Sequence, residues 1–257
     1  MIYGQNRRTG STNGKRIKAG IDRLCGAFID SLYPRRCPVC GEIAEGKKPI
    51  CRGCFDRLSF VKPPLCVKCG KQTAPGQPDM LCRDCRERPR TYEYGCTVLN
   101  YDDILSESLS AVKYHNKKEY MEAYGRLMAG ILKKKAAAAG PDILVPVPVS
   151  PDRLQKRGFN QAAVLARILG EEWGILVRED ILVRTRQTAA MKELTPDERL
   201  SNLMTAFAAR QVPEGAGIMI IDDIYTTGAT VEACTRVLKN AGAGKIWYAS
   251  LAAGSAR

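Results

Sequence analysis

From residue 97 onward the apolar positions alternate between two spacings. Thr97–Tyr101, Ile143–Val147, Ile218–Ile221 and Ile246–Leu251 read as short strands, and Ile218–Ile221 is the continuous apolar run of a strand buried on both faces. Between them the spacing turns helical. Leu105, Leu109 and Val112 place a helix over 104–112, and Tyr124, Leu127, Met128, Ile131 and Leu132 place one over about 120–138, stopped by Gly140-Pro141. Val164, Leu165, Ile168 and Leu169 mark a helix from about Asn160, and Val231, Cys234 and Leu238 one over 229–238. Residues 181–207 read as strand, long polar loop, strand. Upstream, Ile21, Leu24, Cys25, Phe28 and Leu32 form the face of a short amphipathic helix ended by Pro34. Strands alternating with helices predict an α/β fold with a parallel sheet covered on both faces.

One of these strands runs into the densest chemistry of the chain. Ile218 to Ile221 is followed by Asp222-Asp223, then Thr226-Thr227-Gly228-Ala229-Thr230, then a helix. The loop therefore lies at the carboxyl end of a strand, where open α/β sheets bind ligands, and its N–H groups and hydroxyls suit a phosphate at the helix start. The paired aspartates suit ribose hydroxyls or a hydrated magnesium ion. Lacking Gly-Lys-Ser/Thr, the loop is not a Walker loop, and a lone Gly228 is not a dinucleotide fingerprint.

The front of the chain has a different signature. Four CxxC pairs, Cys37/Cys40, Cys51/Cys54, Cys66/Cys69 and Cys82/Cys85, provide eight thiolates, enough for two closed tetrahedral zinc sites of the structural kind. Gly41 and Gly70 follow the first and third pairs, as in zinc knuckles, and the second and fourth pairs lack that glycine. We read tandem ribbons, 37/40 with 51/54 and 66/69 with 82/85; the spacings alone also permit cross-braced pairing of first with third and second with fourth. Cys25, Cys96 and Cys234 fall outside the pattern and are expected to be buried apolar residues.

Composition sharpens the contrast between the two parts. Residues 1–90 hold 19 Lys/Arg against 8 Asp/Glu, and residues 91–257 hold 21 against 19, so the net charge of +13 belongs to the front third. Two tetrathiolate zinc sites would reduce the +11 of residues 1–90 to roughly +7. Arg52, Arg57, Lys62, Lys68, Lys71, Arg83, Arg86, Arg88 and Arg90 then define either a nucleic-acid surface or a solvated basic face, since few aromatics interleave with them. The first 20 residues have no apolar segment of a secretory signal, and no apolar run is long enough for a membrane span. A cytoplasmic location follows as the expectation, where clustered cysteines hold metal rather than form disulfides.

Three further stretches carry chemistry. Pro148–Arg153 lies at the carboxyl end of a strand as a second ligand loop, and Arg157-Gly158-Phe159-Asn160-Gln161 either reaches a pyrophosphate or makes a plain helix entry. Arg184, Arg186, Gln187, Lys192, Arg199 and Asn202 gather on the 181–207 connection, as a lid or as a solvated loop. His115 is the sole histidine and is expected to be an exposed spectator.

The run IIDDIYTTGAT closely resembles the signature by which type I phosphoribosyltransferases hold 5-phosphoribosyl 1-pyrophosphate (PRPP). The order of CxxC ribbons, VPVPVS, RGFNQ, an Arg-rich loop ending in RLSNL, and IIDDIYTTGAT resembles the ComF family of competence-associated proteins over nearly the whole chain from about residue 24. The resemblance implies a double zinc-ribbon module at 21–90 after a flexible basic tail at 1–20, and a type I phosphoribosyltransferase-like domain at 91–257. It implies PRPP bound by Asp222, Asp223, Thr226, Thr227, Gly228, Ala229 and Thr230 with magnesium, and a setting in DNA uptake during natural transformation. The expected partners are single-stranded DNA and a helicase-like competence protein. Family members are often labelled as resembling amidophosphoribosyltransferases, and a chain opening Met1-Ile2-Tyr3 is expected to lack the glutaminase domain that activity needs. Where the family commonly has a glutamine in the flexible loop, Thr188-Ala-Ala-Met191-Lys192-Glu-Leu194 has a methionine. The alternative to a DNA-handling factor is an active transferase releasing pyrophosphate, with Arg157, Arg184, Arg186 and Lys192 as the electrostatic groups. No residue stands out as a base for an acceptor.

Overall fold

The computed structural model describes residues 35–44, 48–76, 79–185 and 196–254. The expected basic tail, the helix over 21–32, Cys25, Arg186, Met191 and Lys192 lie outside them.

A five-stranded parallel sheet is the frame, in the order β1 (Gly95–Asn100), β7 (Ile246–Ala253), β6 (Ile218–Tyr225), β2 (Ile143–Pro146) and β3 (Leu176–Val177). β4 (Leu182–Arg184) and β5 (Phe207–Ala209) pair separately and antiparallel. Parallel strands need crossovers, and helices supply them. They are α3 (Asp103–Tyr114) and α4 (Lys118–Ala139) between β1 and β2, α6 (Gln161–Trp173) after β2, and α8 (Ala229–Asn240) between β6 and β7.

The period of two along the strands divides the apolar residues between two faces. Leu144, Met219, Ile221, Trp247, Ala249 and Leu251 pack with α3, α4 and α6, whereas Ile143, Val145, Ile218, Ile220, Ile246 and Tyr248 pack toward α8 and β5. Each fully buried Leu, Ile or Met contributes roughly 1.5–3 kcal/mol over its exposed state. The sheet centre, β6 and β7, is therefore the most strongly held part of the frame and carries the loop of interest.

The cysteine-rich segment is built onto this frame. Ser59–Val61 runs antiparallel beside β1, with a Phe60–Leu99 bridge, Val61 N donating to Val98 O at 3.1 Å and Asn100 N to Ser59 O at 2.7 Å. This covers the exposed edge of β1, which would otherwise present unpaired backbone groups. On one side of that edge Cys37, Ile50, Cys54 and Leu58 join the core of the α4 face. On the other, Cys66, Cys69, Cys82, Cys85 and Tyr92 join the core of the α8 face.

Three of the differences from the sequence reading bear on the site. A short helix, α5 (Pro151–Arg157), occupies the expected ligand loop after β2; it buries no residue, so it shows no apolar stripe, although Pro151 at its first position and Gly158 after its end are start and stop signals. A second, α7 (Pro196–Ala206), replaces much of the expected polar loop. Its sequence PDERLSNLMTA again begins on proline with acids in the first turn. Finally, β6 continues through both aspartates to Tyr225, because β7 offers partners as far as Ala253.

Candidate phosphate site and metal centres

Asp222 and Asp223 thus sit in the last turn of pleat of a central parallel strand, just before its carboxyl end. Asp222 is buried and its Cα partner across the ladder is Ser250, itself buried and hydrogen-bonded to Thr97 at 2.8 Å. The Asp223 N–H donates to Asp222 Oδ1 at 2.9 Å, and the Ile224 N–H donates to Asp223 Oδ1 at the same distance. Burial, and then the neighbouring Asp223 charge, push the Asp222 carboxyl well above the usual carboxylate range. A divalent cation or ligand hydroxyls there would reverse that preference for the protonated form.

After Tyr225, Thr226 and Thr227 are exposed and Gly228 is buried with φ +79°, serving as N-cap of α8. A glycine N-cap has no side chain to satisfy the helix start, and none is supplied. Helical geometry leaves the first N–H groups of α8 without intrahelical partners. Gly228 is required at this point for two reasons: the left-handed backbone, and the Tyr225 ring, whose hydroxyl would clash with a Cβ. Tyr225 stacks on Tyr248 at 4.7 Å between centroids, Tyr92 meets Tyr248 edge-on at 5.1 Å, and the Tyr92 and Tyr225 hydroxyls lie 2.9 Å apart.

The remaining nominated residues separate. Arg184 is half-buried, with its guanidinium 5.4 Å from the Phe207 ring centroid, and lines a cleft of about 570 Å³ with Pro148, Val149, Phe159 and Asn160. Burial and the Arg153 cation both depress its pKa, so an anion in the cleft would relieve the Arg184 charge. Arg157 turns back to Gln161, with Nη1 donating to Oε1 at 3.4 Å, and is not among the cleft's lining residues. Asn160 caps α6, accepting from Ala162 N at 3.0 Å while donating to Val147 O at 3.0 Å, which ties the helix entry to the end of β2. His115 is exposed, and Cys96 and Cys234 are buried, burial pushing both thiols upward.

Two thiol quartets form, Cys37/Cys40/Cys51/Cys54 and Cys66/Cys69/Cys82/Cys85, the sulfurs in each lying within 4.8 Å of one another. The ribbons are therefore tandem, and the cross-braced pairing is excluded. Tetrahedral zinc with about 2.3 Å bonds places sulfurs about 3.8 Å apart; Cys40 and Cys51 are 3.9 Å apart, and Cys69 and Cys82 3.5 Å. The donor set fits zinc, the closed four-sulfur geometry leaving no open position. Crowding shows in the second quartet, where contact with Cys69 lowers the Cys66 pKa and contact with Cys66 raises that of Cys69.

The two halves of each quartet are built differently. Cys37–Gly41 and Cys66–Gly70 are knuckle turns, each closed by the glycine N–H donating to the first cysteine carbonyl, with φ +74° and +69°. Cys51 and Cys82 instead precede α1 (Arg52–Arg57) and α2 (Arg83–Glu87), whose first turns carry Cys54 and Cys85. An i, i+3 pair at a helix start shares one face without a left-handed residue, which is why those pairs lack the glycine.

Two of the cations assigned to a basic surface are not on it. Lys71 is 2% exposed, pairs with Asp84 at 2.9 Å and stands 5.4 Å from the Tyr225 ring centroid. Arg90 is buried, and its Nη2 donates to the Thr227 carbonyl at 2.6 Å. Burial works against the Arg90 charge, but the hydroxyls of Tyr225 and Tyr92 and the Cys85 sulfur outweigh it. Arg83 pairs with Glu87 and Arg86 with Asp79, whereas Arg52, Arg57 and Lys62 are exposed. The contacts of Arg90 with the Thr227 carbonyl and of Thr91 with the buried Glu232 were not anticipated from sequence; an acid on the inward face of the helix after the loop is the one local sign of them.

The frame, the acid pair and the uncapped helix define a phosphoribosyltransferase fold preceded by a double zinc ribbon. A model described as "Phosphoribosyl transferase domain" matches residues 110–257, and one described as "Double zinc ribbon domain" matches residues 28–86. The chain belongs to the phosphoribosyltransferase-domain family, in the ComF group that carries this ribbon. It is 30% identical over 202 residues to "Competence protein ComFC" of Bacillus subtilis, covering 75% of this chain and 79% of the relative. It is 30% identical over 185 residues to "DNA utilization protein YhgH" of Salmonella typhi, covering 71% and 81%. To "Competence protein F" of Haemophilus influenzae it is 25% identical over 229 residues, covering 86% and 98%. Among solved structures, a purine phosphoribosyltransferase from Pyrococcus horikoshii aligns with TM-score 0.33 at 17% identity, over 51% of this chain and 72% of that one. No helix among the described residues is long and apolar enough to cross a membrane.

Proposed function

We propose that the chain binds PRPP with magnesium at Asp222, Asp223 and Thr226–Thr230, and acts in the handling of incoming DNA. One observation carries the ligand reading: two adjacent carboxylates at the end of a central parallel strand lead directly into an uncapped helix N-terminus at Gly228. Anionic phosphate suits the helix start, and the carboxylates suit ribose hydroxyls or a hydrated magnesium ion. The competence and DNA-utilization names of the relatives support the DNA setting. In this reading residues 21–90 are the zinc module that meets single-stranded DNA or a helicase-like partner, residues 91–257 hold PRPP, and the chain works in the cytoplasm.

Titrating PRPP into the full chain with and without magnesium tests the ligand. Magnesium-dependent binding that is lost in Asp222→Asn/Asp223→Asn supports it, and equal affinity in that variant removes the site. For DNA, reversing Arg52, Arg57 and Lys62 to glutamate in the intact chain should lower affinity and flatten its salt dependence. Unchanged affinity, with two zinc ions retained, removes the basic face from the reading.

The second reading, transfer of phosphoribosyl to an acceptor with release of pyrophosphate, is favoured by one feature. The cleft lined by Arg184, Asn160 and the Pro148–Val149 loop provides room and a cation beyond the end of β2. The electrostatic groups of this reading are Arg157, Arg184, Arg186 and Lys192, of which Arg184 lines the cleft, Arg157 does not, and Arg186 and Lys192 lie outside the described residues. Screening nucleobases and amines for pyrophosphate release decides between the two, and release with any acceptor selects the transferase.

A further inference from the structure

Three consecutive residues, Arg90, Thr91 and Tyr92, join the second cysteine quartet to β1, and all three grip the segment from Tyr225 to Glu232. Arg90 Nη2 donates to the Thr227 carbonyl at 2.6 Å. Thr91 donates through its N–H to Glu232 Oε2 and through its hydroxyl to Oε1, each at 3.0 Å. Tyr92 shares a 2.9 Å hydroxyl contact with Tyr225. Glu232 is 1% exposed and is also held by Arg236 Nε at 2.7 Å, so its carboxylate is a fixed anchor in the first turn of α8.

The Arg90 contact fixes a direction. In a trans peptide the carbonyl of one residue and the N–H of the next point opposite ways. Holding the Thr227 carbonyl toward the ribbon therefore turns the Gly228 N–H away from it, toward the open side of the loop. Arg90 is the side chain that holds this carbonyl, beside Thr226 and Thr227, which are exposed. The second ribbon is locked to the same place: the Tyr248 hydroxyl donates to the Cys69 carbonyl, and Lys71 stands over Tyr225.

We propose that Arg90-Thr91-Tyr92 is a positioning strap that presets the phosphate loop, with Arg90 as the residue that orients the Thr227–Gly228 peptide for an anionic phosphate. This rests on the PRPP reading of that loop. The strap also makes the second ribbon, and not the first, the one whose integrity sets ligand affinity.

Arg90→Gln, Arg90→Lys and Thr91→Val in the full chain, beside wild type, test it. Zinc content, amide hydrogen exchange and PRPP affinity with magnesium are measured for each. Arg90→Gln should keep two zinc ions, speed exchange in 226–231 but not in 218–222, and weaken PRPP binding by at least about fivefold, within the usual range of coupling between sites. Arg90→Lys should recover part of the affinity, since an ammonium can still reach one carbonyl. Thr91→Val keeps every charge and should loosen the start of α8 alone, which keeps the test decisive if Arg90→Gln loses metal. Wild-type exchange and affinity in Arg90→Gln overturn the strap, as does faster exchange with affinity unchanged. A wild-type chain that binds no PRPP sinks the ligand reading, and the exchange arm then still decides whether Arg90 holds the loop.

Discussion

The hydroxyl end of the Tyr225 ring fills the space that a side chain at Gly228 would need. The last residue of β6 and the cap of α8 are thus fitted to each other, and the tight turn between them is set by packing as well as by the left-handed backbone. Gly228→Ala should lower unfolding free energy by about 1–3 kcal/mol, the left-handed conformation and the clash each adding to the cost. Denaturant titration reads this directly. If stability is unchanged while PRPP affinity falls, the glycine serves the ligand and not the packing.

Lys71 and Asp84 allow a sharper stability test, because the two ends of the pair differ in exposure, at 2% and 22%. Asp84→Ala leaves the buried ammonium against the Tyr225 ring without its carboxylate, and should cost roughly 3 kcal/mol. Lys71→Met leaves a carboxylate that water can reach, and should cost clearly less. Equal losses would mean that the pair is weaker than its burial implies.

The central strand, the helix after the loop and the tandem ribbons were legible in the sequence because each has a local signal. A strand buried on both faces must be a continuous apolar run, as Ile218–Ile221 is, and eight cysteines in CxxC spacing leave little chemistry other than metal. The tandem pairing read from the sequence is the one the fold forms, although spacing alone also admits the cross-braced one. Helix α5 was missed because it buries nothing and leaves no stripe. The strap was invisible for a different reason: Arg90 and Thr227 lie far apart in sequence, and a buried arginine reads like any other basic residue. The same blindness put Lys71 on a surface where it does not lie.

Metal removal should unfold more than the ribbons. Cys37 and Cys54 share a core with Met121, Tyr124 and β1, and the second quartet shares one with Tyr92, Tyr225 and Tyr248. Chelation should therefore lower the melting temperature of the whole chain in one calorimetric transition, with two zinc ions released per chain. Two separate transitions, with the later one unmoved by chelator, would show that the sheet stands independently of the ribbons.

Asp222 ties stability to pH in a direction that can be worked out. Its pKa is raised in the folded chain by burial and then by Asp223, so its contribution is fully present below the unfolded carboxylate value of about 4 and is lost as pH rises toward the folded value. Asp222→Asn cannot ionise and escapes that loss. The variant should melt above wild type at neutral pH, by about 2–4 °C for each kcal/mol relieved in a chain of this size, and the two curves should converge as the pH falls to about 4. Added magnesium and PRPP should narrow the gap from the other side by stabilising the ionised wild type alone. A variant less stable than wild type at pH 7 without ligand would mean that the carboxylate is satisfied within the protein, and that the acid pair is structural.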